Sequence, residues 1–220
     1  MKIAALIFDM DGLLVDTEHL AYAAMDAFLV KYGLDRRQEI HDQMLGRRLP
    51  DAVAIIREGY GLPHALPDLI TDYADMRKQA LIGNVVTLPG AKEIVQFGID
   101  AGLRIGLASS GMRDQVQLSL DEAGLAGMFE VQVTGDDVAH GKPAPDIYLK
   151  AAEELGVAPA TCVVFEDAPA GIASAVGAGM HAIAVPNDHS RDMPFTVPAD
   201  VTVESLNDAI AWLQGQGVGV

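Results

Sequence analysis

The chain has 220 residues, half of them apolar, which is enough to bury a sizeable core and too apolar for a disordered segment. Its 15 basic against 31 acidic residues leave a net charge of −16, a field that repels nucleic acid and anionic membrane surfaces, so neither is expected as a partner. An anionic small molecule stays open only if a metal and a few local cations hold it.

The lone cysteine, Cys162, has no intrachain partner and sits in an apolar run, so it reads as a small core residue in a reducing, cytoplasmic setting. Asp9 interrupts the N-terminal apolar run too soon for a signal peptide. The stretch from Ala170 to Val185 is too short and too glycine-interrupted to span a bilayer.

In chain order, Ile3 to Phe8 reads as a strand buried on both faces. Asp9-Met10-Asp11-Gly12-Leu13 follows at once. Two carboxylates where a buried strand ends are costly unless something uses them. If the chain leaves the strand at Met10-Asp11, a carboxylate and a backbone carbonyl face a common ion. The plainer reading makes Asp11-Gly12 a turn, with Asp16 or Thr17 capping the next helix. Asp16 to Tyr32 has helical spacing, with Leu20, Ala24, Ala27 and Phe28 on one side and Gly33 as the stop. Arg36 to Leu45 ends at Gly46, Pro50 opens a helix to Tyr60, and Leu66 to Leu81 closes an all-helical block with no strand candidate.

The texture then alternates. Leu88-Pro89-Gly90 opens a helix to Ala101, Arg104 to Ala108 is a strand, and Arg113 to Ala123 is a helix. Strands are expected at Phe129 to Val133, Thr161 to Phe165, His181 to Val185 and Asp200 to Val203. Helices are expected at Pro145 to Leu155, Pro169 to Ala178 and Ser205 to Leu213. The fold class is therefore α/β, a doubly wound, Rossmann-like parallel sheet with an inserted all-α unit. The expected division is 1–18 plus 87–220 for the core and 19–86 for a helical cap. Ligands bind beyond the carboxyl ends of such strands, so an insertion there is placed to cover the site.

Asp9, Asp11, Ser109, Glu166 and Asp167 all fall at strand ends, and Lys142 lies in the loop after the strand ending at Val133. Each alone has a bland explanation: a cap, a solvated lysine, an acidic helix start. Together they bring several carboxylates, a hydroxyl and an ammonium to one crevice. A hard divalent cation relieves the carboxylate repulsion, and magnesium takes one or two carboxylates plus phosphate oxygens.

Phe8-Asp9-Met10-Asp11-Gly12-Leu13-Leu14-Val15-Asp16-Thr17-Glu18 resembles the first motif of the haloacid dehalogenase superfamily. Ala108-Ser109-Ser110 resembles its second, Gly141-Lys142-Pro143-Ala144-Pro145-Asp146 its third, and Phe165-Glu166-Asp167-Ala168-Pro169-Ala170-Gly171 its fourth. The resemblance implies a phosphoryl-transfer enzyme in which Asp9 attacks phosphorus and Asp11 serves as acid and then base. It further implies that Ser109 and Lys142 hold the phosphoryl oxygens. Mg2+ would be held by the Asp9 carboxylate, the Asp11 carbonyl and Asp167, with Glu166 holding metal-bound water. Asp11 with Glu166-Asp167 argues against a dehalogenase.

The resemblance further implies that a phosphomutase of the beta-phosphoglucomutase kind would carry a cap histidine where Ala21 stands, whereas His19 is two residues early. It would also carry an arginine three residues after Gly46, where this chain has Leu49. The expected activity is therefore phosphatase action on small sugar or polyol phosphates, with the mutase as alternative. Glu18, Arg47, Arg48 and Ser110 are the expected substrate contacts, and His19 a further cap residue to watch. His41, His64, His140, His181 and His189 share no metal-ligand spacing and read as surface or structural. A monomer is expected.

Overall fold

The computed structural model describes residues 2–44 and 47–219. Six parallel strands run in the order β5-β4-β1-β6-β7-β8: β1 (Ala5–Phe8), β4 (Arg104–Ala108), β5 (Val131–Val133), β6 (Cys162–Glu166), β7 (His181–Ala184) and β8 (Val201–Thr202). The strand carrying the two early aspartates is central. Phe8 pairs with Leu107 on one side and Phe165 on the other, so the strands end level.

Side-chain alternation along β1 explains why the sheet is covered twice. Leu6 and Phe8 face a cluster shared with α5 (Ala91–Asp100), α6 (Arg113–Ala123) and α9 (Leu206–Gly215). Ala5 and Ile7 face the opposite cluster, built with α7 (Asp146–Leu155) and α8 (Pro169–Gly177). Cys162 lies in this second core, and burial pushes its thiol up to about 11.

Between β1 and α5 stand α1 (Glu18–Lys31), α2 (Gln38–Asp42), α3 (Leu49–Tyr60) and α4 (Leu66–Leu81). They bury a cluster of their own around Met25, Phe28, Val53, Ile56 and Leu69. The helical reading of this block misses one feature. β2 (Val15–Asp16) and β3 (Val86–Thr87) pair antiparallel where the chain leaves and re-enters the core, extended by Leu88 N–H donating to Leu14 O at 2.9 Å. That pairing delays α1 to Glu18, two residues after the expected start. Of the helix expected over 36–45, α2 covers only Gln38–Asp42, and its stop at Leu45-Gly46 lies outside the described residues.

Candidate active site

The site is built where β1, β4 and β6 end together. Beyond Phe8, Asp9 N–H still donates to Phe165 O, after which Leu14 and Val15 N–H fold back onto Met10 O. Gly12 sits in this turn at φ +78°, left-handed backbone that favours glycine. A Cβ there would also meet Asn187 Nδ2 and Asp167 Oδ2 at 2.7 Å. The turn leaves Asp11 accepting from Thr17 Oγ1 at 2.7 Å and from Ser109 Oγ at 3.3 Å.

Lys142 enters from the loop before α7 and is almost fully buried. Its ammonium donates to Asp9 Oδ1, to Glu166 Oε1 at 2.6 Å and to Ala108 O at 3.1 Å, which uses all three of its protons. Burial alone lowers the lysine pKa, but the charges of Asp9 and Glu166 win and hold it above the ordinary lysine value. Glu166 is itself held by Tyr148 O–H at 2.7 Å and by Ala168 N–H at 3.3 Å. A Cβ on Gly171 would fall 1.8 Å from the Glu166 carboxyl, so α8 can pass here only with glycine. Asp167 accepts from Asn187 Nδ2 at 2.9 Å, and the same amide donates to Gly12 O.

Asp9, Glu166 and Asp167, all buried, each offer an oxygen within 4.8 Å of the others'. Three carboxylates crowd around one ammonium with little exposure to water. Burial, reinforced by carboxylate repulsion, pushes Asp9 up to about 8 and Asp167 well above the carboxylate range. The donor set is entirely hard oxygen with surplus negative charge, which fits a hard divalent cation.

Residues 6–185 match the family model for haloacid dehalogenase-like hydrolases. The chain belongs to that family. The hydrolase is 32% identical to a phosphorylated carbohydrates phosphatase of Thermotoga maritima, over 98% of this chain and 93% of the relative. It is 33% identical to hexitol phosphatase B of Escherichia coli, over 96% of each. The crystal structure of CbbY from Rhodobacter sphaeroides in complex with phosphate matches at TM-score 0.83 and 26% identity, covering 93% of this chain and 95% of that one.

In this hydrolase Asp9, Asp11, Ser110, Lys142, Glu166 and Asp167 line one cleft. Ser109 is buried beneath, its hydroxyl taking Gly111 N–H while donating to Asp11. The insertion forms the facing wall. Glu18 is there, with Oε2 buried and without a hydrogen-bond partner, and burial holds its carboxyl above the usual range. Arg47 also faces the cleft.

Arg48 corrects the expectation made for it. It is absent from the lining because its guanidinium is taken by Asp51 at 2.9 and 3.2 Å and by Val138 O at 2.9 Å. His19 is likewise turned away, exposed and 3.3 Å from Asp16.

Sequence reasoning missed Arg77, Gln115, His41 and His189, all on the cleft wall. His41 is buried and stacked on Tyr22 at 3.9 Å, its Nδ1 without a hydrogen-bond partner and 3.9 Å from Asp42, and burial lowers its pKa. None of the four lies in a motif. Only their face of a helix or their place in a loop brings them here. Tyr148 and Asn187, which brace Glu166 and Asp167, carried no signal either. Among the described residues no helix is long and apolar enough to cross a membrane.

Proposed function

We propose that this hydrolase releases phosphate from monoesters of small sugars or polyols through a covalent aspartyl-phosphate on Asp9, with Mg2+ as its cofactor. The observation that carries the reading is the Asp9 carboxylate, held by the Lys142 ammonium at the floor of a cleft whose far wall is the helical insertion. The phosphatase names of relatives about one-third identical support the same reading.

Asp9 attacks phosphorus, and the ester P–O bond breaks with its electron pair leaving on the sugar oxygen. Asp11, two residues on, gives that oxygen a proton. The resulting Asp11 carboxylate takes a proton from water, whose oxygen attacks the same phosphorus and frees Asp9. Ser109 and Lys142 are assigned to the phosphoryl oxygens, each giving up for them a hydrogen bond it otherwise makes, to Asp11 and to Ala108 O, with Ser110 beside them. Asp9, Asp167 and the Asp11 carbonyl would hold the magnesium, which supplies positive charge against the phosphoryl oxygens. Glu166, with its oxygens already accepting from Lys142, Tyr148 and Ala168, braces the lysine and touches the metal only through water.

Residues 19–86 act as a cap, turning on the segments near 15–20 and 82–88 and excluding water on closure. Glu18 and Arg47 meet the sugar part of the substrate.

The test is phosphate release from sugar, polyol, glycolate and nucleoside monophosphates with and without Mg2+. Release is expected from sugar or polyol phosphates only with the metal, and at background in Asp9→Asn. Release that persists in Asp9→Asn overturns the proposal. Phosphorus NMR of the same mixtures shows free phosphate for a phosphatase and isomerised sugar phosphate for a mutase.

A further inference from the structure

The insertion meets the core on more than one side of the cleft. Near the β2–β3 crossing Glu122 of α6 accepts Gly83 N–H at 2.7 Å. Along α4, Lys78 pairs with Asp114 at 2.7 Å and Ala74 O accepts from Gln115 at 3.1 Å. Arg48 makes a tie of another kind, because it lies midway along the insertion and reaches the loop that delivers Lys142.

Arg48 is the residue before α3, and its carbonyl accepts Ala52 N–H at 3.0 Å. Its guanidinium grips Asp51 of its own helix with Nε and Nη2 while Nη1 crosses to Val138 O. A planar fork with five donors grips the carboxylate side-on with two of them and reaches the carbonyl with a third, a geometry that a single ammonium nitrogen does not reproduce. Its side chain is only 19% exposed.

Two glycines of the core lie beneath it. A Cβ on Gly141 would stand 2.8, 2.9 and 3.0 Å from Arg48 Cγ, Nε and Cδ, while a Cβ on Gly135 would meet Ser110 O first, at 2.4 Å, and Arg48 Cγ at 3.2 Å. Gly141 does not have left-handed backbone, so its bareness serves the room it leaves and not its own conformation. Its next neighbour in the chain is Lys142.

We infer that Arg48 is a positioning residue for the reaction: seated over Gly135 and Gly141 and bonded to Val138 O, it locks the closed insertion onto the Lys142 loop, so that cap closure and lysine placement occur together. The inference rests on the proposed phosphatase reading for its kinetic arm alone. The coupling itself is read without turnover.

The experiment compares wild type with Arg48→Ala, Arg48→Lys, Gly141→Ala and the double variant Arg48→Ala/Gly141→Ala. Hydrogen–deuterium exchange over residues 138–144 and the first turn of α3 is expected to quicken about tenfold in Arg48→Ala, with Arg48→Lys between it and wild type. Magnesium affinity by calorimetry should stay within about twofold of wild type, because the clasp does not touch Asp9 or Asp167. In phosphate release, Arg48→Ala and Gly141→Ala are each expected to lose about tenfold in kcat/KM. Gly141→Ala should add less than about twofold on the Arg48→Ala background, because the side chain it displaces is already gone.

Unchanged exchange in the 138–144 loop overturns the inference, as do losses that multiply in the double variant. If Arg48→Ala does not fold, Arg48→Lys and Gly141→Ala carry the same comparison. A wild type that releases no phosphate from any ester defeats the phosphatase reading and leaves the exchange measurement to decide the clasp.

Discussion

At the residue scale the proposed mechanism gives one carboxylate, Glu166, a bracing part in place of a reacting one. Glu166 takes a proton donor from Lys142 on one side and from Tyr148 on the other, and it is the bareness of Gly171 that lets its carboxyl lie where it does. Gly171→Ala drives a methyl into that space. The glutamate must then move, and the ammonium it steadies moves with it. A displacement near one ångström at a catalytic group costs on the order of 100-fold, so a loss of about that size in kcat/KM is expected. Tyr148→Phe is the contrasting variant: it removes one hydrogen bond and keeps the shape, at about 1 kcal/mol of stability and a smaller kinetic loss. Steady-state kinetics with thermal melts separates the two. A Gly171→Ala enzyme as active as Tyr148→Phe would sink the bracing role given to Glu166.

At the scale of the elements, the insertion has a core of its own. Phe28 is fully buried in it, with the rings of Tyr32 at 4.9 Å and Tyr73 at 5.3 Å. Phe28→Ala is expected to cost about 3–5 kcal/mol. The loss should appear as an earlier urea transition, while magnesium affinity of the core carboxylates, measured by calorimetry, is unchanged. A parallel loss of metal affinity would mean the two cores are not separable.

Most of these elements were legible from the chain because apolar runs of four or five residues and glycine stops bracket them, as with Arg104 to Ala108 before Ser109. β2 and β3 were not, since two residues carry no periodicity and their pairing joins positions 15–16 to 86–87. The motif residues of the site were legible because the parallel sheet places every strand end on one edge. Arg48 was misread for a related reason. Adjacency to Arg47 says that both lie in one loop, but only the fold sets one arginine on the cleft wall and sends its neighbour's guanidinium to Val138 O.

At the scale of the whole molecule, a protein of net charge −16 keeps inside it an acidic centre of three carboxylates with one ammonium among them. In the metal-free protein, burial holds Asp9 up to about 8 and raises Asp167 as well, so the folded state keeps protons that the unfolded chain releases near the ordinary carboxylate range. Their stabilising contribution is full below about pH 4 and is lost as pH rises through about 8. Magnesium takes the place of those protons and should stabilise more as pH rises. The shift in melting temperature on adding millimolar Mg2+ is therefore expected to be larger at about pH 8 than at about pH 5.5. Equal shifts at the two values would show that the carboxylates are not the binding groups.

The short antiparallel ladder between β2 and β3 has a further consequence for the molecule's history and for its engineering. Val15 and Thr87 are already neighbours, so the chain enters and leaves the whole helical unit at one place on the core. Excising it and joining its two stems by a tight turn leaves every strand of the larger sheet with its partners. On the proposed reading, replacing the helical unit would change which ester is admitted while the strand-end carboxylates keep their place, provided the new unit restores the tie that Arg48 makes to Val138 O.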